Sequence, residues 1–401
     1  MVKSYFKLFR RVFLHKILYL SFLVLAFSIS SCDDSVSECE STIGLTFVKK
    51  TSNLDYSLNS LKISVPDTIL YRHFLFDVLT VDEDTKYVGY NIKLNRLEIY
   101  DSVWHVSPSF NREISAKISD VTYHSTDSIF LVTEMPQKLY LTNSLGEVKN
   151  TWDLSKPFDS ISDEYFYIAD DNNSKVIYLN DGRLLVSLTR FDLQTNNYPE
   201  EPGFLAVYDI RKSQWVGKPF GNMPEIYTKG EYPRDFSIPD VTIANDAIVV
   251  SFPLFAQVDF YDKNTFKLVK SICLRSQEVP LNNKISKAED TQEEGNYLIT
   301  EPFFSGFHYD PSINVFYRFY FEEQPLLQLN GELNEFFFRK SKLIKLDIDN
   351  GTVVIYPFEH ENTINFMSKF GSSKDGRISI AYNLTGGEST LHLSELNLAK
   401  E

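Results

Sequence analysis

The sequence predicts an all-β chain folded as a β-propeller of six four-stranded antiparallel blades, closed by an N-terminal strand. Three observations carry that prediction. The 401 residues include 32 Phe and 23 Tyr, and the β-branched residues fall in short runs bounded by Asp, Asn, Gly, Ser and Pro, with hardly any long amphipathic helical window. A motif of the form apolar-x-apolar-Tyr-Asp recurs, in full as LEIYD at 97–101, LAVYD at 205–209 and VDFYD at 258–262, and more loosely as LYLTN at 139, LIKLD at 343 and LHLSE at 391. Each copy follows a second strand pattern (TKYVGYN at 85, SIFLVTE at 128, RLLVSLT at 183, AIVVSFP at 247, NVFYRFY at 314, RISIAYN at 377), itself preceded by a turn and a further alternation. Self-similarity of this kind marks a repeat architecture, in which no single meander can bury both faces and neighbours must stack.

The elements follow in chain order. Lys3, Lys7, Arg10, Arg11 and Lys16 precede the apolar run ILYLSFLVLAFSIS at 17–30, a cationic region followed by an apolar stretch short of the ~20 residues that span a bilayer. Residues 1–31 therefore read as a signal peptide. Ile29-Ser30-Ser31-Cys32 resembles the lipobox of bacterial lipoprotein signals, with Ile and Ser where Leu and Gly are commoner, and implies lipidation of Cys32 and a membrane anchor through that lipid. Residues 32–43 are polar and acidic and read as a flexible tether, leaving 44–401 as one propeller domain. Asp33 and Asp34 resemble acidic export signals of surface lipoproteins in Bacteroidota, whereas Asp there in enterobacterial systems signals inner-membrane retention, so the leaflet stays open. Removing residues 1–31 takes away five cations and no acid, moving the formal charge from −14 to −19. That acidity argues against nucleic acid and against adhesion through a basic patch.

The Asp-Gly pairs 181–182 and 375–376 and Asp310-Pro311 supply hairpin turns between first and second strands. Fourth strands follow as EVKNTWDL, FKLVKSICL and GTVVIYPF, but the sixth unit ends near Glu401 without one. GLTFVKK and SLKISV within 44–65 are candidates to complete it and remove an open edge. A β-sandwich is the competing architecture. With two cysteines beyond Cys32, Cys39 in the tether and Cys273 in a strand, the spacing suggests neither a disulfide framework nor a zinc site, and Cys273 reads as a small buried hydrophobe.

The lipobox Cys32 with its acidic follow-on, the repeated units, and stretches such as VIYLNDGRLLVSL and GFHYDPSINVFYRF together resemble the six-bladed propeller lipoproteins of Bacteroidota, among them a domain-of-unknown-function family of this length. The resemblance covers the whole mature chain and implies fold and envelope location, with no activity attached.

Candidate functional residues come from loop lengths. The turns between strands one and two and between three and four are short, while 153–174, 189–203, 217–238, 273–303 and 321–341 are long and fall on the opposite face. They carry acids such as Asp163, Glu200 and Glu293 interleaved with Tyr165, Tyr198 and Tyr232, a pattern suited to an envelope protein or glycan, or simply to a solvated surface. Where the innermost strands start on that face stand Asp77, Asp120, Ser174, Asp240, Ser305 and Ser368. Their oxygens could converge on calcium or hydrogen-bond the backbone of a neighbouring blade. Arg234 could meet a carboxylate ligand or the acidic rim, and His308 reads as a satisfied buried histidine. Two functions follow: a non-catalytic binding module using the elaborated face, or an envelope hydrolase or lactonase with a metal or carboxylate pair at the pore mouth. Whether the chain is an enzyme stays open, with the first reading preferred.

Overall fold

The computed structural model describes residues 45–50, 59–64, 74–81, 84–91, 94–100, 103–110, 113–133, 136–154, 166–168, 176–190, 203–224, 239–281, 291–334, 339–358, 369–372, 377–383 and 390–397, with 59–87, 166–168 and 369–397 as backbone. The protein is an all-β propeller of four-stranded antiparallel blades. Phe74–Val81, Asp84–Asn91, Arg96–Tyr100 and Trp104–Val106 make the first sheet, and Ile118–Ser125, Ser128–Thr133, Lys138–Thr142 and Val148–Asp153 the second. The fourth is Asp240–Ala244, Ala247–Ser251, Gln257–Asp262 and Leu268–Cys273; the fifth contains Phe303–Asp310, Val315–Phe321, Ser341–Asp347 and Thr352–Phe358. In each, chain order is spatial order, innermost strand first.

The recurring Asp has a local cause. At the end of the third strand its carboxylate accepts from backbone amides of the turn it opens: Asp209 Oδ1 from Arg211 and Lys212 N–H at 2.9 and 3.1 Å, and Asp262 Oδ1 from Asn264 and Thr265 N–H at 3.1 and 2.7 Å. Asp347 Oδ1 likewise accepts from Asn350 N–H at 3.0 Å, and Asn143, in the loose copy LYLTN, from Leu145 and Glu147 N–H at 3.1 and 2.9 Å. The motif thus marks an Asx-type turn that ends one strand and aims the next. On the hairpins between first and second strands, Asn180, Asn245 and Asn314 take φ of 64°, 54° and 53°, a left-handed conformation Asn tolerates better than most side chains.

Strands covered on both sides are buried throughout: every residue of Val315–Phe321 is buried, and all but Arg318 are apolar or aromatic. Among the described residues, three apolar clusters fill seams between sheets. One joins the first and second sheets through Leu97, Ile99, Ile129 and Leu131, and one the second and third through Val132, Trp152, Val186 and Tyr208. A third joins the fourth and fifth through Val258, Phe260, Phe316 and Ile344. Innermost strands lie side by side, Phe74–Val81 between Ile118–Ser125 and Lys369–Ser372, and Phe303–Asp310 between Lys369–Ser372 and Asp240–Ala244.

Four features depart from the expectation. Both N-terminal candidates form strands, but on different sheets. Asn59–Ser64 pairs antiparallel with Thr390–Asn397 as the outer strand of the sheet containing Lys369–Ser372 and Arg377–Asn383. Thr46–Lys49 pairs parallel with Thr352–Phe358, adding a fifth strand to the fifth sheet. The third sheet has its inner edge in two pieces, Phe166–Ile168 and Ile177–Tyr178, both on Arg183–Arg190, which continues to Leu205–Asp209 and Gln214–Trp215. Within the long connection 273–303 lies an α-helix, Thr291–Thr300. Gly295 interrupts its interior, and its sequence TQEEGNYLIT places no apolar residue before Tyr297, so its period is too weak to read. Finally, Cys273 is not a lone buried thiol: it is disulfide-bonded.

Candidate functional site

The site must be sought where innermost strands begin, on the face bearing the long connections. Asp120 and Asp240 both stand there, on the second and fourth sheets, 7% and 8% exposed. Asp120 is spent on the neighbouring blade: the Val176 N–H donates to its Oδ2 at 2.7 Å, and the Thr122 hydroxyl donates to the Val176 carbonyl. Two residues of one inner strand thus satisfy both backbone groups where the next sheet begins, the structural alternative weighed for these positions. Asp240 faces Ser251 across its hairpin, and Ser305 faces Phe319 on the fifth sheet. The side chain of Asp77, and Arg234, Ser174 and Ser368 altogether, lie outside the described residues, as do Cys32, the tether and the acidic and aromatic rim side chains named above. Among the described residues, no group of three or more His, Cys, Asp or Glu is placed to hold a metal ion.

The structure assembles instead a set of buried cations that lock the elaborated face, which strand patterns did not suggest. Arg318, 1% exposed on the second strand of the fifth sheet, reaches into the fourth. Its Nη1 and Nη2 donate to the Phe255 and Phe252 carbonyls at 2.9 and 2.5 Å, and its guanidinium lies 3.9 Å from the Phe304 ring centroid. Arg339 caps the C-terminal end of Thr291–Thr300, donating from Nη2 to the Glu301 carbonyl at 2.8 Å and the Thr300 carbonyl at 3.4 Å, and from Nε to Glu322 O at 3.0 Å. A cation there answers the helix dipole and the orphan carbonyls together. Burial pulls the Arg339 pKa down to about 10, and the guanidinium remains charged at neutral pH. Lys342 donates to the Glu278 carbonyl at 2.5 Å and pairs with Glu322 at 3.0 Å, while the Tyr320 hydroxyl donates to Pro280 O at 2.5 Å. The segment 274–281 is thereby tied to the fifth sheet.

On the opposite surface of the fifth sheet, His308 faces Tyr317 in register, and Asp310 lies two residues further along the same strand. The Tyr317 hydroxyl is buried without a hydrogen-bond partner. Burial, with the Asp310 charge adding, pushes its pKa well above the ordinary phenol range. Removing an unsatisfied buried hydroxyl should not cost stability: Tyr317→Phe is expected to unfold at equal or higher urea, by about 1 kcal/mol. A loss of similar size would mean that the hydroxyl holds a bound water or ligand.

Asp259 carries a different imprint. Its Oδ1 accepts from Gln257 Nε2 at 2.8 Å and Ser271 Oγ at 2.6 Å, yet burial outweighs both and raises its pKa. A folded-state pKa above the unfolded one means that the native state holds the proton more tightly. Stability contributed by the protonated form is therefore full below about pH 4 and declines as pH rises through the raised value. Asp259→Asn is expected to flatten that decline in thermal melts between about pH 4 and 7; an unchanged pH profile would contradict it.

One segment of the elaborated face is plainly turned outward. After the fifth sheet's second strand, Leu327 and Leu333 form an isolated antiparallel bridge. Gln328 N–H donates to Glu332 O at 2.8 Å, Gly331 N–H to Gln328 O at 2.9 Å and Asn334 N–H to Leu326 O at 2.8 Å. Gly331 takes φ of 83°, as the tight turn requires. Asn334 Nδ2 donates to Pro325 O at 2.6 Å, closing the base. On this small hairpin Leu329 is fully exposed, and Leu327 and Leu333 are 50% and 58% exposed. Its sequence signal was available: Asn330-Gly331 between alternating leucines is a strong short-range hairpin signature.

Among the described residues, no helix is long and apolar enough to cross a membrane. The fold is similar to that of a DUF4221 protein of Bacteroides vulgatus, at 13% identity and a TM-score of 0.63 over 87% of this chain and 99% of that one. It is also similar to a candidate exported protein of Bacteroides fragilis, at 12% identity and a TM-score of 0.51 over 87% and 99%. At such identities the likeness concerns fold alone. No curated protein matches the sequence. Residues 51–328 match the model of the domain of unknown function DUF4221, well over half of the chain.

Proposed function

The chain belongs to the DUF4221 family, and we propose that it works as a lipid-anchored envelope propeller of six blades, a non-catalytic module that binds a protein partner through its elaborated face. Asn59–Ser64 serves as the latch that closes the ring by completing the last blade. Cys32 carries the lipid, and the outer membrane is the proposed location. One observation carries the binding reading: a hairpin closed by three backbone hydrogen bonds presents three leucines to solvent. Clustered exposed apolar side chains on a rigid support mark contact surfaces, and preorganisation lowers the entropy lost on binding. Glu323 precedes the hairpin and Glu332 stands within it, which favours a partner whose apolar pocket has a basic rim. A glycan remains the other ligand class for this face.

The test is a photocrosslinking amino acid placed at Gln328 of the full-length protein in its own envelope. A discrete adduct is expected, lost in Leu327→Ser/Leu329→Ser while the melting temperature holds. If the same probe at Lys212, on a turn of the opposite face, gives the same adducts, the reading fails. The competing reading, a hydrolase or lactonase with calcium or paired carboxylates from Asp77, Asp120 and Asp240, gains nothing from Asp120, whose Oδ2 serves Val176.

A further inference from the structure

Cys273 ends the outer strand Leu268–Cys273 of the fourth sheet, is 4% exposed and is disulfide-bonded. The chain contains only three cysteines, so the other sulfur belongs to Cys32 or Cys39. We infer that it belongs to Cys39, and that a Cys39–Cys273 bond staples the N-terminal segment to the fourth sheet while leaving Cys32 free for acylation.

Two arguments converge on Cys39. The first is reach: Leu45 packs against the apolar cluster that joins the fourth and fifth sheets and includes Cys273, Leu274 and Val279, and Lys49 pairs with Glu278, five residues on from Cys273, at 2.7 Å. Six residues separate Cys39 from Leu45 and can span up to ~20 Å, a reach within which the ~5.5 Å Cα separation of a disulfide can be met. The second is chemical and rests on the lipidation reading: a Cys32 sulfur held in a thioether has no thiol left to oxidise.

Forming the bond removes two protons and two electrons from the two thiols. A disulfide-bearing oxidant of the envelope accepts them by two exchange steps, through a mixed disulfide, and leaves as a dithiol. The bond therefore requires the oxidising side of a membrane. It encloses the whole of the first four sheets in one covalent loop, and shortens the free tether to the six residues between Cys32 and Cys39.

The experiment uses full-length protein extracted from envelopes, alkylated without reduction, digested and analysed by mass spectrometry. The expected product is one pair of peptides joined through Cys39 and Cys273, which separates on reduction with a gain of two hydrogens. A Cys32–Cys273 pair, or Cys273 alkylated before reduction, would overturn the inference. In Cys39→Ser, Cys273 should become alkylatable, and reductant should no longer lower the melting temperature as it does in the wild type. Labelled fatty acid incorporated at Cys32 reports separately on the anchor. If the joined peptides appear without acylation, the lipid reading fails and the staple stands.

Discussion

Arg318→Ala is expected to lower unfolding free energy by about 3–5 kcal/mol, the largest single-residue loss predicted outside the disulfide. The size follows from what the side chain does. Its guanidinium is 1% exposed and donates to two carbonyls, of Phe252 and Phe255, that belong to a different sheet. Truncation leaves a cavity under Phe304 and strips both carbonyls of these donors at once, with little room for water to replace them. Arg318→Lys should recover little, because a single ammonium cannot meet both acceptors while covering the Phe304 face as the planar fork does. Arg318→Met, which keeps the stem volume, should fall between the two. Urea unfolding of the three variants checks the order; Lys at wild-type stability would show that charge alone, not bidentate geometry, holds the fourth and fifth sheets together. A second readout is local: amide exchange at Phe304, whose N–H donates to Pro253 O at 2.8 Å in the same seam, should speed up in Ala and Lys alike.

Much of the fold was legible because each blade repeats the same local problem. Every strand pair needs a turn, and the Asp that ends the third strand solves it by hydrogen bonds to residues two and three positions on, as Asp209 and Asp262 do. Such causes are written within a few residues and so recur visibly. What stayed hidden depends on distant partners. Arg318 reads as a polar residue on an apolar strand until its acceptors, 63 and 66 residues earlier, come into contact with it. The parallel pairing of Thr46–Lys49 with Thr352–Phe358 joins strands from opposite ends of the chain, and no local pattern distinguishes a parallel outer edge from an antiparallel one. At Ser305/His308 the register shifts by a bulge, with Gly306 at φ 68°, so the alternation that places side chains on one side of the sheet slips within the innermost strand. Of the inner-strand acids, Asp120 gives its Oδ2 to the Val176 N–H, a bond whose two partners stand 56 residues apart. The leucine hairpin carries a local turn signal in Asn330-Gly331, but the exposure of its leucines depends on the surrounding fold and has no local signature.

Asp120→Ala is expected to cost about 2–3 kcal/mol, and Asp120→Asn markedly less, with no change in metal content in either. The carboxylate is 7% exposed, and its Oδ2 takes the Val176 N–H, the first described backbone group of the third sheet's inner piece. Alanine leaves that N–H buried and unpaired, whereas the Asn side-chain oxygen is an acceptor at the same reach, so the two variants separate hydrogen bonding from charge. The damage should concentrate at the seam between the second and third sheets. Trp152, whose Nε1 donates to the Ile210 carbonyl at 2.8 Å across that seam, offers a native fluorescence probe of it. Under a pore-mouth metal reading the pattern reverses: Asn and Ala would both lose calcium and both lose any calcium-dependent rise in melting temperature, because a neutral amide is a far poorer ligand than a carboxylate. Calcium-dependent melting of wild type that vanishes in Asp120→Asn would therefore displace the backbone role assigned here; insensitivity to chelator together with a ranking of wild type, Asn, then Ala would secure it.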